Sequence, residues 1–258
     1  MYGICNLSIV PCRKEPSDRS EMVTQLLFGE HFLIIETQGN WCRIKIAYDE
    51  YECWIDKKQF LPIEQHTYDI LESSAHYYSN ELVQIIRDDR SSLLFPIVIG
   101  STLPNFDNNE CAVENQSYAY EGAYITGHLP TDKIGIIETA MMYLNTPYLW
   151  GGKTPFGIDC SGFTQMVYKL NGIKLSRDAY QQAEQGEVLS FVEEAEAGDL
   201  AFFDNEEGRI THVGIVMDDN RIIHASGNVR IDGFDHQGIY NKEKQKYSHR
   251  LRLLKRIV

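Results

Sequence analysis

Two short stretches decide the fold of this 258-residue chain: PYLWGG at residues 147–152 and IDCSGF at residues 158–163. The second stretch places Cys160 at a turn that opens a predicted helix, which runs to Leu170 and stops at Asn171-Gly172. Unpaired backbone N–H groups and the positive end of the helix dipole both favour a thiolate at that position. Cys160 is therefore a candidate nucleophile, although a lone helical cysteine is most often a small buried side chain.

Two histidines are candidates for the base that a nucleophilic cysteine needs. His212 begins an apolar strand, and His224 lies on the next strand along the chain. A three-residue turn at residues 218–220 would place His212 opposite Ser226 and His224 opposite Gly214, so that the two imidazoles become diagonal neighbours about 7–8 Å apart between Cα atoms. We therefore expect a relay in which His212 is the base and His224 fixes its tautomer and orientation. Two structural histidines are the alternative.

The chain before this region reads as two β domains. In residues 1–62, short apolar stretches alternate with turn sequences, which predicts a small curved barrel or sandwich. Residues 63–126 look like a weaker copy, for which chance similarity is the alternative. Two pairs of segments carry the similarity: LLF at 26–28 with LLF at 93–95, and YECWI at 51–55 with YEGAYI at 120–125.

From residue 127 onward the pattern becomes helical and then extended. Gly and Pro in residues 126–131 mark a linker, after which Thr131 or Asp132 is placed to cap a helix. The predicted apolar face of that helix comprises Ile134, Ile137, Met141 and Leu144. Strands are predicted at residues 199–203, 212–217, 221–225 and 249–254. Residues 127–258 are thus expected to form one α+β domain with helices packed on an antiparallel sheet.

Composition disfavours several classes of function. The chain has 37 acidic and 24 basic residues and a net charge of −13, which argues against binding to the negatively charged backbone of nucleic acid. Its six cysteines form no C-x-x-C pair, so we expect neither a metal site nor a disulfide framework. No stretch approaches the roughly 18 apolar residues of a membrane span, and no leader pattern is present. We expect a cytoplasmic monomer if Met1 is the native start, and a periplasmic or secreted one otherwise.

The ordered motifs resemble those of the NlpC/P60 cysteine peptidases. The resemblance spans about residues 132–254 and continues beyond the first two stretches through GDL at 198–200, HVGI at 212–215 and IHA at 223–225. Residues 1–62 resemble a bacterial SH3 (SH3b) domain, and residues 63–126 do so more weakly. The whole chain is similar to the γ-D-glutamyl-L-diamino acid endopeptidases, which cut cell-wall peptides. This implies an α+β, papain-like catalytic domain at 127–258 that follows two small all-β SH3b-like barrels.

The resemblance also implies roles for individual residues. Cys160 would be the nucleophile, His212 the general base and His224 the third, orienting residue. The Tyr148 hydroxyl would help to stabilise the oxyanion together with a backbone N–H at the helix start. Asp159 and Ser161 would line the substrate cleft, for which helix capping by Asp159 is the alternative.

Further substrate contacts are implied around this centre. Asp178, in SRDA at residues 176–179, would bind the free amino end of the substrate, because a carboxylate suits an ammonium group; a loop carboxylate facing water is the alternative. Glu21 and Tyr51 of the first β domain would close the pocket. Trp150 and Arg177 complete the predicted set of substrate-binding residues.

We therefore expect a cysteine endopeptidase that needs no cofactor. Its substrate would be the bond between γ-D-Glu and a diamino acid, L-Lys or meso-diaminopimelate, in murein peptides with a free N-terminal L-Ala. Cell-wall peptide recycling is the expected role, with murein-derived peptides as partners and neither nucleic acid nor membrane among them. The alternatives are an SH3b-mediated peptide- or glycan-binding protein with an inactive peptidase domain, and an amidase or acyltransferase that uses the same thiol.

Overall fold

The computed structural model describes residues 1–127 and 133–258, which fall into two compact units. Residues 128–132 lie outside the described residues, and with them most of the predicted linker and the predicted helix cap at Thr131 or Asp132. Within the described ranges, no helix combines the length and the apolar character needed to cross a membrane.

Seven antiparallel strands form the sheet of residues 2–63. They are β1 Tyr2–Ile4, β2 Ile9–Arg13, β3 Met22–Leu27, β4 His31–Gln38, β5 Trp41–Ile46, β6 Glu52–Asp56 and β7 Leu61–Ile63, with a 3-10 turn at Lys57–Gln59 before the last. Their order is β3-β2-β6-β5-β4-β1-β7. Every second residue of β5 is buried, because alternate side chains of a strand point to the same face. The predicted all-β character of this region is confirmed.

The rest of the first unit adds one helix and six strands. They are α1 Gln65–Ser73, β8 Tyr77–Ser79, β9 Val83–Asp88, β10 Leu94–Val98, β11 Glu110–Val113, β12 Gln116–Ala119 and β13 Tyr124–Thr126. Four strands pair in the order β10-β9-β12-β11, and β13 pairs with β8. The helix α1 was not predicted, because its sequence carries little apolar signal and Leu71 is its one buried residue.

The strand order of the first sheet recurs in the second. The run β10-β9-β12-β11 repeats β3-β2-β6-β5, and β8 pairs with β13 as β1 pairs with β7. This recurrence supports the predicted duplication, which stays a proposal. The two LLF segments are not equivalent, however, because residues 26–27 end β3 whereas residues 94–95 begin β10. The alignment of residues 120–125 with residues 51–55 is wrong, since Tyr124 and Ile125 belong to β13 whereas residues 52–55 belong to β6. The two regions share one hydrophobic core, in which Phe28 packs with Tyr118.

Three helices and nine strands make up the described part of the second unit. They are α2 Lys133–Met142, β14 Lys153–Thr154, β15 Gly157–Ile158, α3 Cys160–Leu170, α4 Ala179–Gln182, β16 Glu187–Leu189, β17 Leu200–Asp204, β18 Ile210–Met217, β19 Arg221–Ser226, β20 Asn228–Asp235, β21 Gly238–Asn241 and β22 Lys246–Arg256, with a 3-10 turn at Val192–Glu194. The α+β class and the bounds of α3 agree with the prediction.

The antiparallel sheet of the second unit closes on itself. The long strand β22 pairs with β21 through its first half and with β17 through its second half, so β17 to β22 form a six-stranded ring. The strands β20 and β21 were not predicted, and the closure of the sheet depends on them. The helix α3 packs on β18 and β19, which brings its first residue to the beginning of β18.

The buried face of α2 differs from the prediction. Its buried residues are Ile136 and Ala140, followed by Tyr143 just after the helix. Ile134 is 69% exposed, and Met141 and Leu144 are exposed as well. A small residue at position 140 lets α2 approach α3, where the Tyr143 ring meets Phe163 edge-on. The prediction was wrong because it assigned the largest apolar side chains to the buried face of the helix.

Candidate active site

Cys160 is the first residue of α3 and lies against the strand that carries His212. Asp159 caps the helix, because its Oδ1 accepts a hydrogen bond from the Gly162 N–H at 2.6 Å. The Cys160 Sγ lies 4.0 Å from the Thr211 carbonyl oxygen and accepts a hydrogen bond from the Val213 N–H. Both backbone groups adjoin His212, so the fold brings the two predicted catalytic residues together.

The thiol of Cys160 is less acidic than its place at a helix start suggests. The side chain is 7% exposed, and burial together with the charge of Asp159 raises the pKa of Cys160 to about 12. The N–H groups near the thiol favour the thiolate but are outweighed by the loss of solvent. Burial thus opposes the thiolate that the helix start favours, and transfer of the thiol proton to a nearby base would accompany attack.

The two candidate histidines lie side by side, and Gly214 faces His224 as predicted. Gly214 pairs with His224 across β18 and β19, and His212 Nε2 lies 2.8 Å from His224 Nδ1. The paired residues of β18 and β19 run from Gly214–His224 to Met217–Arg221, so the predicted pairing of His212 with Ser226 lies beyond this ladder and stays a prediction. The thiol of Cys160 contacts the backbone of β18 just beyond the Gly214 end of the ladder.

A buried carboxylate that the sequence analysis missed continues this chain of hydrogen bonds. His224 Nε2 lies 3.1 Å from Asp232 Oδ2, and Arg230 donates to both oxygens of Asp232 at 2.8 and 3.0 Å. Both residues lie on β20, where Arg230 faces His224 directly. Apolar and charged side chains alternate in VRID at residues 229–232, which could have indicated a strand that carries Arg230 and Asp232 on one face. The charged face of such a strand is ordinarily expected to face solvent.

A third histidine, His249, also belongs to the site. Its ring comes from β22 and stacks on the ring of His212, with centroids 4.1 Å apart and planes inclined by 21°. The sequence placed His249 in no such arrangement, because nothing local to residue 249 relates β22 to β18. The ring covers one face of the proposed base.

The electrostatic setting keeps these imidazoles neutral. Burial, followed by the neighbouring His224 and His249, holds the pKa of His212 well below its ordinary value. Burial also lowers the pKa of His224 against the opposing effect of Asp232, and lowers that of His249 to about 4. Burial opposes ionisation of Asp232, but hydrogen bonds from His224 and Arg230 outweigh it and lower the pKa of this carboxyl group. Neutral imidazoles beside an ionised carboxylate suit proton transfer.

The three imidazoles also form the grouping best placed to hold a metal ion among the described residues. One nitrogen of each of His212, His224 and His249 lies within 4.8 Å of the others. The 2.8 Å contact between His212 and His224 is, however, shorter than the roughly 3.3 Å between two nitrogens on a tetrahedral zinc ion. Stacked rings also direct their lone pairs alongside each other rather than toward one point. The arrangement as it stands suits a shared proton better than a metal.

Three of the predicted substrate-binding residues form a buried cluster beneath the helix start. Arg177 is 1% exposed and donates to both oxygens of Asp159 at 2.6 and 3.1 Å. It also donates to the Ser161 hydroxyl at 3.0 Å. Asp159 further accepts from the N–H of Gly151 at 2.8 Å. The capping alternative for Asp159 is thus observed, whereas contact of the cluster with substrate stays a prediction.

Tyr148 lies close to the start of α3. Its backbone N–H donates to the Gly227 carbonyl at 2.9 Å. Tyr148 also forms an isolated parallel β-bridge with Ile158, which lies two residues before Cys160 in the sequence. Burial and then the charge of Cys160 raise the pKa of Tyr148, which places the phenol within electrostatic reach of the thiol. The hydroxyl therefore stays protonated and can donate a hydrogen bond. Trp150, two residues on, is 61% exposed.

The remaining predicted contacts are described within their own units. Asp178 is the N-cap residue of α4 and its N–H donates to Gln181 Oε1 at 3.1 Å. Burial and then Asp178 raise the pKa of Tyr180, so the Asp178 carboxylate has a phenol as neighbour. Glu21 and Tyr51 belong to the first unit, where Glu21 pairs with Lys14 at 3.4 Å. Their roles in substrate binding stay predictions.

Comparison with known proteins matches both parts of the chain. The NlpC/P60 family profile covers residues 145–250, and that of the bacterial dipeptidyl-peptidase SH3 domain covers residues 12–60. A gamma-D-glutamyl-L-lysine dipeptidyl-peptidase of Bacillus subtilis (strain 168) is 32% identical over 215 residues, which is 78% of this chain and 71% of that protein. Dipeptidyl-peptidase 6 of Lysinibacillus sphaericus is 28% identical over 247 residues, covering 86% and 88% of the two chains.

A solved structure shares the fold along the whole length. The crystal structure of an NlpC/P60 family protein from Bacillus cereus ATCC 10987 superposes with a TM-score of 0.83, covering 100% of this chain and 99% of the other at 19% identity. The chain therefore belongs to the NlpC/P60 family and is a cysteine peptidase whose catalytic domain follows a bacterial SH3 region.

Proposed function

We propose that this peptidase hydrolyses the bond between γ-D-glutamate and a diamino acid in peptidoglycan peptides that carry a free N-terminal L-alanine. The observation that carries the proposal is the 2.8 Å contact between His212 and His224 beside the thiol of Cys160. The name of the Bacillus subtilis relative, a gamma-D-glutamyl-L-lysine dipeptidyl-peptidase, supports the choice of bond.

The first chemical step is attack by the thiol with transfer of its proton. Cys160 Sγ bonds to the carbonyl carbon of the γ-D-glutamyl group while its proton moves to His212. Since burial disfavours the free thiolate and the free imidazolium alike, the two events are expected to be concerted. The resulting oxyanion accepts hydrogen bonds from the Tyr148 hydroxyl and a backbone N–H at the start of α3.

The second step releases the diamino acid and the third releases the dipeptide. The carbon–nitrogen bond breaks as His212 returns its proton to the leaving amine, which leaves a thioester on Cys160. His212 then takes a proton from water as the water oxygen bonds to the thioester carbon. The carbon–sulfur bond breaks, which releases L-Ala-γ-D-Glu and leaves Cys160 as a thiolate. The thiolate recovers a proton from His212, so each cycle consumes one water.

Recognition of the free amino end is the second part of the proposal. Asp178, Trp150, Glu21 and Tyr51 are assigned to it, and the cluster of Asp159, Ser161 and Arg177 shapes the adjoining surface. Recycling of released peptides in the cytoplasm is the proposed role. Cell fractionation with an antibody to the protein tests this location.

Incubation with L-Ala-γ-D-Glu-L-Lys, read by mass spectrometry, tests the proposed reaction. We expect release of L-Ala-γ-D-Glu by the unmodified protein and none by Cys160→Ala. Cys42→Ala is the matched control, because Cys42 is also buried and lies in the first unit. Acetylation of the substrate N-terminus should reduce cleavage.

Two outcomes would contradict the proposal. Binding of the peptide without turnover, unchanged in Cys160→Ala, would indicate a binding protein. Transfer of the dipeptide to an added amine in preference to water would indicate an acyltransferase.

A further inference from the structure

Asp232 ends the chain of hydrogen bonds that begins at His212. It is 6% exposed and contacts His224 Nε2, whose other ring nitrogen contacts His212 Nε2. We propose that Asp232, anchored by Arg230, is a positioning residue that sets the tautomers of both histidines and thereby makes His212 Nδ1 the acceptor of the thiol proton. This inference rests on the proposed function, since it assumes that Cys160 and His212 carry out the chemistry.

The tautomers follow from the direction in which each group can donate. An ionised carboxylate only accepts hydrogen bonds, so the facing nitrogen of His224, Nε2, carries the proton. The Nδ1 of a neutral His224 is then an acceptor, and His212 Nε2 must donate to it across 2.8 Å. A neutral His212 with its proton on Nε2 has a lone pair on Nδ1. One carboxylate thus specifies the protonation pattern of two rings.

Arg230 keeps Asp232 both ionised and oriented. Its Nε and Nη2 donate to the two carboxylate oxygens, a bidentate geometry that fixes the plane of the carboxylate. Arg230 is itself held by Glu243 Oε2 at 3.4 Å. With both oxygens engaged by the guanidinium, the remaining hydrogen bond of Oδ2 goes to His224.

The charged and titratable groups around Asp232 come from three strands. His224 faces it from β19, Arg230 lies on its own strand β20, and His249 of β22 lies within electrostatic reach. Of these, only Arg230 is a permanent cation. When the thiol proton reaches His212, the new imidazolium donates through Nε2 to His224, and the negative charge of Asp232 stabilises the cation through that ring.

Nitrogen NMR of the unmodified protein tests the tautomers directly. We expect both His224 and His212 to carry their proton on Nε2 at neutral pH, seen as the Nε2–H pattern of chemical shifts and couplings. A proton on Nδ1 of either ring would overturn the inference. This result does not depend on turnover, so it remains decisive even if the proposed substrate is not cleaved.

Asp232→Asn tests the kinetic consequence. Asparagine has one acceptor oxygen, whereas three donors point at Asp232, so the amide cannot hold Arg230 and His224 in their present arrangement. We expect kcat to fall by about 100-fold with KM changed less than about threefold, because the change affects proton transfer rather than binding. The NMR pattern of His224 should change in the same variant.

Asp235→Asn is the matched control. Asp235 lies on the same strand and accepts a hydrogen bond from the Tyr247 hydroxyl at 2.6 Å, outside the chain that leads to His212. We expect it to keep the parent kcat and both tautomers. Equal losses of kcat in the two variants, or an Asp232→Asn variant with the parent tautomers and kcat, would refute the positioning role.

Discussion

Two aspartate–arginine pairs, each with a buried aspartate, flank the candidate catalytic groups. Asp159 and Arg177 lie beneath the nucleophile with contacts of 2.6 and 3.1 Å, and Asp232 and Arg230 lie behind the histidines with contacts of 2.8 and 3.0 Å. In each pair the guanidinium donates to both carboxylate oxygens. Taken by themselves, the two ion pairs therefore have nearly the same geometry.

They differ in what else the carboxylate accepts. Asp159 accepts backbone N–H groups of Gly151 and Gly162, and so fixes the path of the chain around Cys160. Asp232 accepts an imidazole N–H, and so fixes where a proton resides. The same kind of ion pair therefore fixes the backbone around Cys160 at one end of the site and the protonation state of His224 at the other. We expect changes at the first pair to act on stability and changes at the second to act on rate.

Asp159→Ala should have the largest effect on stability. Arg177, which is 1% exposed, would lose the carboxylate that accepts two of its hydrogen bonds, and α3 would lose its cap. We expect the free energy of unfolding to fall by about 3–5 kcal/mol, measured by urea denaturation. The double variant Asp159→Ala/Arg177→Met should recover part of that loss, because it also removes the buried guanidinium. A double variant less stable than the single one would contradict this view of the pair.

Arg230→Met should act mainly on the rate. Removal of Arg230 leaves the Asp232 carboxylate, whose side chain is 5% exposed, with the hydrogen bond from His224 still in place. We expect kcat to fall about tenfold, because Asp232 loses its orientation, while the free energy of unfolding falls by only about 1 kcal/mol. Arg209→Met, at a side chain that is 79% exposed, is the control. A loss of stability as large as that of Asp159→Ala would erase the proposed difference between the pairs.

Acidification should destabilise the second unit through its buried histidines. In the unfolded chain a histidine takes up a proton near pH 6.5, whereas the folded pKa of His249 is about 4 and that of His212 is also lowered. Between these values the unfolded state binds more protons, so stability falls as the pH decreases through this window. We expect a melting temperature lower by about 3 °C at pH 5 than at pH 7. In His249→Phe the decrease should be smaller; an equal decrease would assign it to other groups.

His249→Phe should have the smallest effect on catalysis. Phenylalanine preserves the stack on His212 but removes the neighbour whose charge lowers the pKa of that histidine. The acid limb of the kcat/KM profile should therefore shift to higher pH, with kcat/KM at pH 7 changed by less than about threefold. A loss as large as that of Asp232→Asn would mean that His249 belongs to the relay itself.

The parts of the site that local rules govern were predictable from the sequence. The bounds of α3 follow from a cap and a glycine stop, and the pairing of Gly214 with His224 follows from the length of one turn. Asp232 was within reach of the same reasoning, because the turn at Gly227 pairs Ser226 with Asn228 and thus sets Arg230 opposite His224. It was missed because alternating polar residues suggest a solvent-facing surface.

The rest depends on contacts that no short stretch of sequence encodes. His249 reaches His212 only because the ring of strands closes, and the high pKa of the Cys160 thiol reflects burial by distant residues. The shared core of the two β regions likewise joins Phe28 to Tyr118. Each of these features follows from tertiary packing, which local propensity does not determine.

The two-sided pairing of β22 has a consequence for how the peptidase is made. Because this strand joins β21 to β17, it is the last piece of the ring to leave the ribosome, and it also carries His249. Until it docks, β17 and β21 both expose unpaired edges, and the base lacks its stacking partner. A nascent chain without this strand would thus hold Cys160, His212, His224 and Asp232 on a sheet that is still open, with the ring of His212 uncovered on the side that His249 occupies in the finished domain.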